Sequence, residues 1–279
     1  MRFEKWQALG NDYVVVEAEA LPWQLNEERI RRICEPHFGI GGDGILLLSR
    51  IEDERLVAEL RIFNPDGSEA ELSGNGARQA VLYLRAAGWT DADTFAIATK
   101  AGEVRPTITG PGTVAMAIGR ASLTSPDYPS GPDDGRGTLR AGGREWSFRH
   151  VNVGNPQCVI DAGDEVDELE LASFGPEIES HGLFPNRTNV SFIRVDGSNV
   201  RARIFERGVG ETLSSGTGAS GGAVAAFPAG ASSPITVHLD GGRLTVKVSE
   251  ELDVTLTGTA SRVYSGELDE GFVTALAGA

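Results

Sequence analysis

A segment near residue 61 returns near residue 203, and this internal repeat limits what the chain can fold into more than any other feature. Arg61-Ile62-Phe63-Asn64, followed by Ser73-Gly74-Asn75-Gly76-Ala77, is matched by Arg203-Ile204-Phe205-Glu206, followed by Ser215-Gly216-Thr217-Gly218-Ala219. The offset is 142 at every matched position (61 to 203, 73 to 215), without a gap, and Glu69 matches Glu211. Gly10-Asn11 with Val15 and Gly154-Asn155 with Val159 add a second pair at an offset of 144 (10 to 154). Periods of a few tens of residues mean solenoids; a repeat near half the chain length implies two similar domains.

With 279 residues the chain can bury one large core or two ordinary ones. A formal net charge of −15 disfavours nucleic acid and anionic membranes as partners, although an acidic surface most often serves only solubility. No apolar run reaches the roughly 18 residues of a membrane span, and Met1-Arg2-Phe3-Glu4-Lys5-Trp6 lacks the apolar core of a signal peptide. Cys34 and Cys158 are the two cysteines, too few for a metal cluster or a disulfide framework. A soluble, cytoplasmic protein without a metal cluster is the expectation.

Strands are expected over Tyr13–Val16, Ile45–Leu48, Val57–Phe63, 94–99, 103–108 and 114–118 in the first half. Asn26 is placed to cap a helix over Glu27–Ile33. After Ser73 the apolar residues Ala77, Ala80, Val81 and Leu84 follow helical spacing, so a helix begins at the Ser-Gly-Asn-Gly segment. Residues 125–137, rich in Pro, Gly, Ser and Asp, read as a loop near the junction of the halves. The second half is expected to supply strands over 145–153, 189–193, 200–205, 235–239, 244–248, 252–257 and 262–264. A helical segment is expected around 166–174, and another helix after Ser215, carrying Ala219, Ala223, Ala226 and Phe227 and ending at Pro228. The tail over 271–276 is expected to return to the first half. The domains are then 1–118 with 265–279, and 119–264.

In each half a strand leads through a glycine-rich loop into a helix beginning Ser-Gly-x-Gly. The first N–H groups of a helix lack internal partners and carry the positive end of its dipole, so such an end binds anions. Two such ends at one cleft could hold a single carboxylate, flanked by Ser73 and Ser215. An enzyme that inverts a stereocentre beside a carboxylate needs this layout: a group to take the α-proton from one face and another to return a proton on the other. The plainer alternative is that each serine is an N-cap and each Gly-x-Gly a turn.

The residues Leu9-Gly10-Asn11-Asp12, Phe63-Asn64-Pro65-Asp66-Gly67-Ser68, Gly74-Asn75-Gly76-Ala77-Arg78, Gly154-Asn155-Pro156, Asn189, Glu206-Arg207-Gly208-Val209-Gly210-Glu211-Thr212 and Gly216-Thr217-Gly218-Ala219 resemble the diaminopimelate epimerase family. The resemblance spans nearly the whole chain in the right order. It implies an α+β fold of two pseudo-symmetric domains, each a barrel-like, mainly antiparallel sheet around a central helix, with the active site in the cleft between them. It implies cofactor-independent interconversion of LL- and meso-diaminopimelate, a step toward lysine and peptidoglycan, on a small amino-acid substrate; a homodimer is compatible with it. By this resemblance Asn11, Asn64, Asn155, Asn189, Glu206 and Arg207 hold the amino-acid head that does not react. The backbones of Gly74, Asn75, Gly216 and Thr217 hold the reacting carboxylate. The residue types suit the task, since Arg207 offers a planar fork to a carboxylate and Glu206 an acceptor to an ammonium; as an isolated pair they read equally as an exposed salt bridge.

The sequence departs from the family at the reacting groups. The family's acid/base residues are cysteines, and this chain has Ser73 and Ser215 in their places; where the family usually has His after Gly-Asn-Pro, it has Gln157. A thiol of pKa ~8.5 is readily tuned to a thiolate at a helix N-terminus, whereas an alcohol needs a neighbouring base. Asp43, Glu69 and Glu211 are the candidates for that base. Three readings stay open: an epimerase using serines, an isomerase of the phenazine-biosynthesis type that uses carboxylates, and a non-catalytic amino-acid binder with the thiol pair lost.

Overall fold

The computed structural model describes residues 1–278. It divides into two compact units, one formed by Met1–Met116 with the stretch from Gly258 onward, the other by Ala117–Thr257. The first unit begins with β1 (Arg2–Ala8), β2 (Asn11–Glu17), α1 (Glu27–Cys34), β3 (Ile45–Ser49), β4 (Leu56–Phe63), β5 (Glu69–Ala70), α2 (Gly74–Ala86), β6 (Ala96–Thr99), β7 (Gly102–Val104), β8 (Thr107–Gly110) and the first half of β9 (Thr113–Arg120), whose last four residues belong to the second. The second holds β10 (Arg136–Ala141), β11 (Arg144–Asn152), β12 (Pro156–Asp161), α3 (Leu171–Glu179), β13 (Asn189–Asp196), β14 (Asn199–Glu206), β15 (Gly210–Thr212), α4 (Gly216–Ala226), β16 (Ile235–Leu239), β17 (Gly242–Val248) and β18 (Asp253–Thr259). The chain then returns to the first unit with β19 (Ser261–Glu267) and α5 (Glu270–Ala277).

The repeat read in the sequence is repeated in the pairing. The first unit orders its strands β19-β1-β2-β3-β4-β6-β7, and the second β10-β11-β12-β13-β14-β16-β17-β18. Along both, the first six pairings run antiparallel, antiparallel, parallel, antiparallel, parallel, antiparallel. The short arms β5 and β15 pair with β4 and β14 outside the main order. Each parallel pair is bridged by a helix, as a parallel connection demands: α1 and α3 join β2 to β3 and β12 to β13, while α2 and α4 follow β4 and β14.

α2 and α4 are buried on nearly all sides, nine of 13 residues in α2 and nine of 11 in α4. Ala77, Ala80, Val81 and Leu84 are fully buried among Leu46, Leu60, Ile62 and Ile97. α4 is made of small residues because its neighbours come close. A Cβ on Gly218 would stand 2.6 Å from Ile204, and one on Gly221 2.8 Å from Gln157. Asn26 caps α1 as expected, its side chain accepting from Arg29 N–H at 2.9 Å.

Several expectations change. The strand over 103–108 is two, β7 and β8, separated at Pro106, which has no N–H to continue a ladder. The helical stretch at 166–174 is a 3-10 turn over Gly163–Asp167 followed by α3. β10 begins at Arg136, inside the stretch read as loop. The strand at 262–264 lies in β19, which pairs with β1. The tail does pack with the first unit: Leu276 is fully buried in a cluster with Ile30 and Ile33. No helix among the described residues is long and apolar enough to cross a membrane.

Candidate functional site

Both serines end an extended strand-to-helix turn and cap the helix that follows. Ser73 (φ −128°, ψ 120°) accepts from Gly76 N–H at 3.0 Å, and Ser215 (φ −138°, ψ 123°) from Gly218 N–H at 3.2 Å. The capping role therefore holds at both helices. Capping uses one lone pair of each hydroxyl and leaves the proton free to be donated.

The second partner of each serine differs between the units. Ser215 Oγ donates to Glu206 Oε2 at 2.8 Å, and Thr212 Oγ1 donates to Glu206 Oε1 at 2.7 Å. The β14–β15 hairpin sets this geometry, pairing Glu206 with Gly210 so that Thr212 and Ser215 come back past the carboxylate. At Ser73 the neighbour is the phenol of Tyr13, donating over a long 3.4 Å. Asn64 occupies the place matched to Glu206, and its side chain donates to Ser68 Oγ at 2.9 Å.

The carboxylates singled out as helpers of the serines are engaged elsewhere. Glu69 pairs with Arg61 at 2.9 Å and Glu211 with Arg203 at 2.6 Å, matched ion pairs of the two repeats. The hydrogen bond from Arg61 holds the Glu69 carboxyl below its ordinary range. Asp43 accepts from Asn11 Nδ2 at 2.8 Å and from Asp12 N–H at 3.0 Å. Glu206, read in the sequence only as an acceptor for an ammonium, is the carboxylate that touches one of the two cap serines.

The remaining candidates fall into two groups, one in each unit. In the first, Gln79 Nε2 donates to the carbonyl of Asn11 at 3.0 Å, tying that residue to α2. Asn75 accepts from Arg78 Nη2. In the second, Asn155 donates to Thr217 Oγ1 at 3.3 Å, and Gln157 donates to Asn155 Oδ1 at 2.7 Å. Gln157, in the place of an imidazole, is fully buried with its Oε1 unpartnered. Asn189 donates to Pro156 O and accepts from Arg207 N–H, both at 3.0 Å. The Arg207 guanidinium donates to Asn186 O at 2.9 Å, and no ion pair joins it to Glu206. The half-buried Gly74, Gly216 and Thr217 stand in the first turns of α2 and α4.

Sequence reading did not single out Tyr13, which touches Ser73, Thr212, which touches Glu206, or Arg78, buried in α2. Arg78 could have been found, since a charged residue on the apolar face of a helix needs a reason. Cys34 and Cys158 are buried, and burial pushes the Cys34 thiol up to about 12 and the Cys158 thiol higher still. Among the described residues no group of three or more His, Cys, Asp or Glu is placed to hold a metal.

The sequence model of the family described as diaminopimelate epimerase matches residues 3–124 and 149–263. "Diaminopimelate epimerase 2" of Nostoc sp. (strain PCC 7120) is 39% identical over 96% of this chain and 95% of its own. The diaminopimelate epimerase of Azoarcus sp. (strain BH72) is 37% identical over 96% and 99%. Among solved structures, a phenazine biosynthesis protein of the PhzF family from Bacillus anthracis shares the fold, with a TM-score of 0.65 and 19% identity over 96% of this chain and 99% of that one. A hydroxyproline epimerase from Agrobacterium vitis does so with a TM-score of 0.64 and 16% identity, over 96% and 90%. With a family match across both repeats, and relatives of this identity along almost the full length, the chain belongs to the diaminopimelate epimerase family.

Proposed function

We propose that this chain interconverts LL- and meso-2,6-diaminopimelate by proton transfer at an α-carbon, without a cofactor, on the cytoplasmic route to lysine and peptidoglycan precursors. Ser215 with Glu206 is the proton-accepting pair. As the Cα–H bond breaks, its proton passes to Ser215 Oγ, and the proton Ser215 held passes to Glu206 Oε2. Ser73 gives its hydroxyl proton to the carbanion and takes the proton of the Tyr13 phenol that donates to it, leaving a tyrosinate that the reverse reaction or solvent reprotonates. The backbone N–H groups at Gly74, Asn75, Gly216 and Thr217 take up the charge that develops on the carboxylate. Asn11, Asn64, Asn155, Asn189, Glu206 and Arg207 are assigned to the amino-acid head that does not react.

The observation that carries this reading is the 2.8 Å hydrogen bond from Ser215 to Glu206 at the head of α4. An alcohol is a poor acid/base group unless a base stands next to it, and here one does. The family relationship supplies the substrate class, and the net charge of −15 works against nucleic acid as a partner.

Incubation with meso-diaminopimelate in deuterated water tests the proposal, with deuterium at the α-carbon read by NMR. Incorporation, lost about 100-fold or more in Glu206→Gln, is the expected result. Binding heat without any label identifies an amino-acid binder instead. Failure to bind any diamino acid removes the epimerase reading and leaves the isomerase of the phenazine type ahead.

A further inference from the structure

Arg78 is the one buried charged residue of α2, since Arg85 in the last turn is not buried, and its surroundings do not satisfy it. The side chain is fully buried, among the largest in the protein with no exposure. Its Nη2 donates to Asn75 Oδ1, while Nε and Nη1 have no hydrogen-bond partner. No carboxylate forms an ion pair with it among the described residues, in contrast to Arg61, Arg201 and Arg203. Burial pulls the guanidinium down to about 10, so it stays charged at neutral pH.

The unpartnered Nη1 is directed at the start of the helix. A Cβ built on Gly74, the first residue of α2, would meet Nη1 at 3.8 Å, and beyond its chain neighbours and the backbone of its own helix nothing else within 4 Å. The cation thus stands behind the N–H groups of the first turn, adding a full charge to the partial charge of the helix end. The matched position in α4 is Ser220, whose hydroxyl donates to Gly216 O at 2.8 Å. The two helix starts are therefore not equivalent: α2 has a buried cation at its head, and α4 has the carboxylate of Glu206.

We propose that Arg78 is a positioning residue, the fixed counter-charge for a ligand carboxylate at the N-terminus of α2. The matched helix starts then differ in kind: α2 carries a counter-charge for an anion, and α4 carries Ser215 with Glu206. A buried charge lacking an anion is unfavourable, and it is relieved when an anion from outside binds beside it. The unliganded protein should consequently gain nothing in stability from this guanidinium. This inference rests on the amino-acid ligand proposed above.

Arg78→Met and Arg78→Lys separate the possibilities, each measured for melting temperature without ligand and for binding of meso-diaminopimelate by calorimetry. The expected result is an Arg78→Met protein whose unliganded melting temperature equals or exceeds that of the parent, with affinity lowered tenfold or more. Arg78→Lys, which keeps the charge, should retain most of the lost affinity. An Arg78→Met affinity within threefold of the parent overturns the proposal. So does a fall in the unliganded melting temperature or failure to fold, either of which assigns the guanidinium to structure. If the parent itself binds no diaminopimelate, the function proposed above fails, and the melting comparison still judges whether Arg78 is held at a cost to the unliganded fold.

Discussion

Ser73 and Ser215 each close the first turn of a helix, and a thiol in the same place would close it poorly, because sulfur is a weak acceptor. Replacing a serine N-cap usually costs about 1 kcal/mol, so Ser73→Cys and Ser215→Cys should each lose about that much stability in urea titration. A thiol at a helix N-terminus is far easier to ionise than an alcohol, and the double variant should exchange the α-hydrogen of diaminopimelate at least about tenfold faster in deuterated water. Stability that falls without faster exchange would mean that the hydroxyls only cap. His150 offers a second test at this scale. It is fully buried, its Nε2 lies 2.9 Å from Ser125 Oγ and its Nδ1 is unpartnered. Burial lowers its pKa below the ordinary 6.5, against the pull of Asp127 upward. A lowered histidine contributes stability that is complete above pH 6.5 and is lost as the pH falls through the folded value. Stability should therefore decline between pH 7 and 5, and His150→Gln should flatten that decline; an unchanged profile would place the titration elsewhere.

At the scale of the element, the β4–β5 and β14–β15 hairpins show how one sequence pattern acquires different weight in two settings. Each is closed by an Arg–Glu pair eight residues apart, Arg61 with Glu69 and Arg203 with Glu211. The Arg61 side chain is 43% exposed, and an exposed pair is worth under about 1 kcal/mol. The Arg203 side chain is 15% exposed and also donates to the carbonyls of Val166 and Leu169, at 3.1 and 2.7 Å. Removing it strands two carbonyls and a carboxylate. Arg203→Ala should cost about 3 kcal/mol and Arg61→Ala about 1 kcal/mol or less, by paired urea titrations; equal losses would contradict the argument. The elements themselves were largely legible, because the spacing of Ala77, Ala80, Val81 and Leu84 is a helix spacing and every one of them is buried. The partner of Ser215 was not. Glu206 reaches it only through the register of β14 with β15, a pairing across a turn that leaves no mark in local spacing.

For the whole molecule, the matched offset announced two related units, and the shared order of pairing senses shows how far the duplication extends. What the offset could not reveal is the outermost strand. β10 occupies, beside β11, the place that β19 occupies beside β1, yet β10 immediately precedes β11 in the chain and β19 arrives from the far end. Hydrophobic period says that a strand exists, not which neighbour it pairs with. The consequence is that the first unit depends on residues some 260 positions from its start. α5 follows β19 and covers α1: Leu276 is fully buried with Ile30 and Ile33, and Phe272 packs alongside. Arg29 Nε donates to Leu276 O at 2.8 Å, Arg29 Nη2 to Ala277 O at 3.1 Å and Arg32 to Ala275 O at 3.0 Å, satisfying carbonyls that the last turn of α5 leaves open. Burying a Leu or a Phe is worth about 1.5–3 kcal/mol each. Ending the chain before Glu270 should therefore destabilise the first unit by about 3 kcal/mol or more. Hydrogen exchange should show it selectively, with amides of α1, β2 and β3 exchanging faster while those of β13 and β14 keep their protection. Equal loss of protection in both sets would mean that the two units unfold as one.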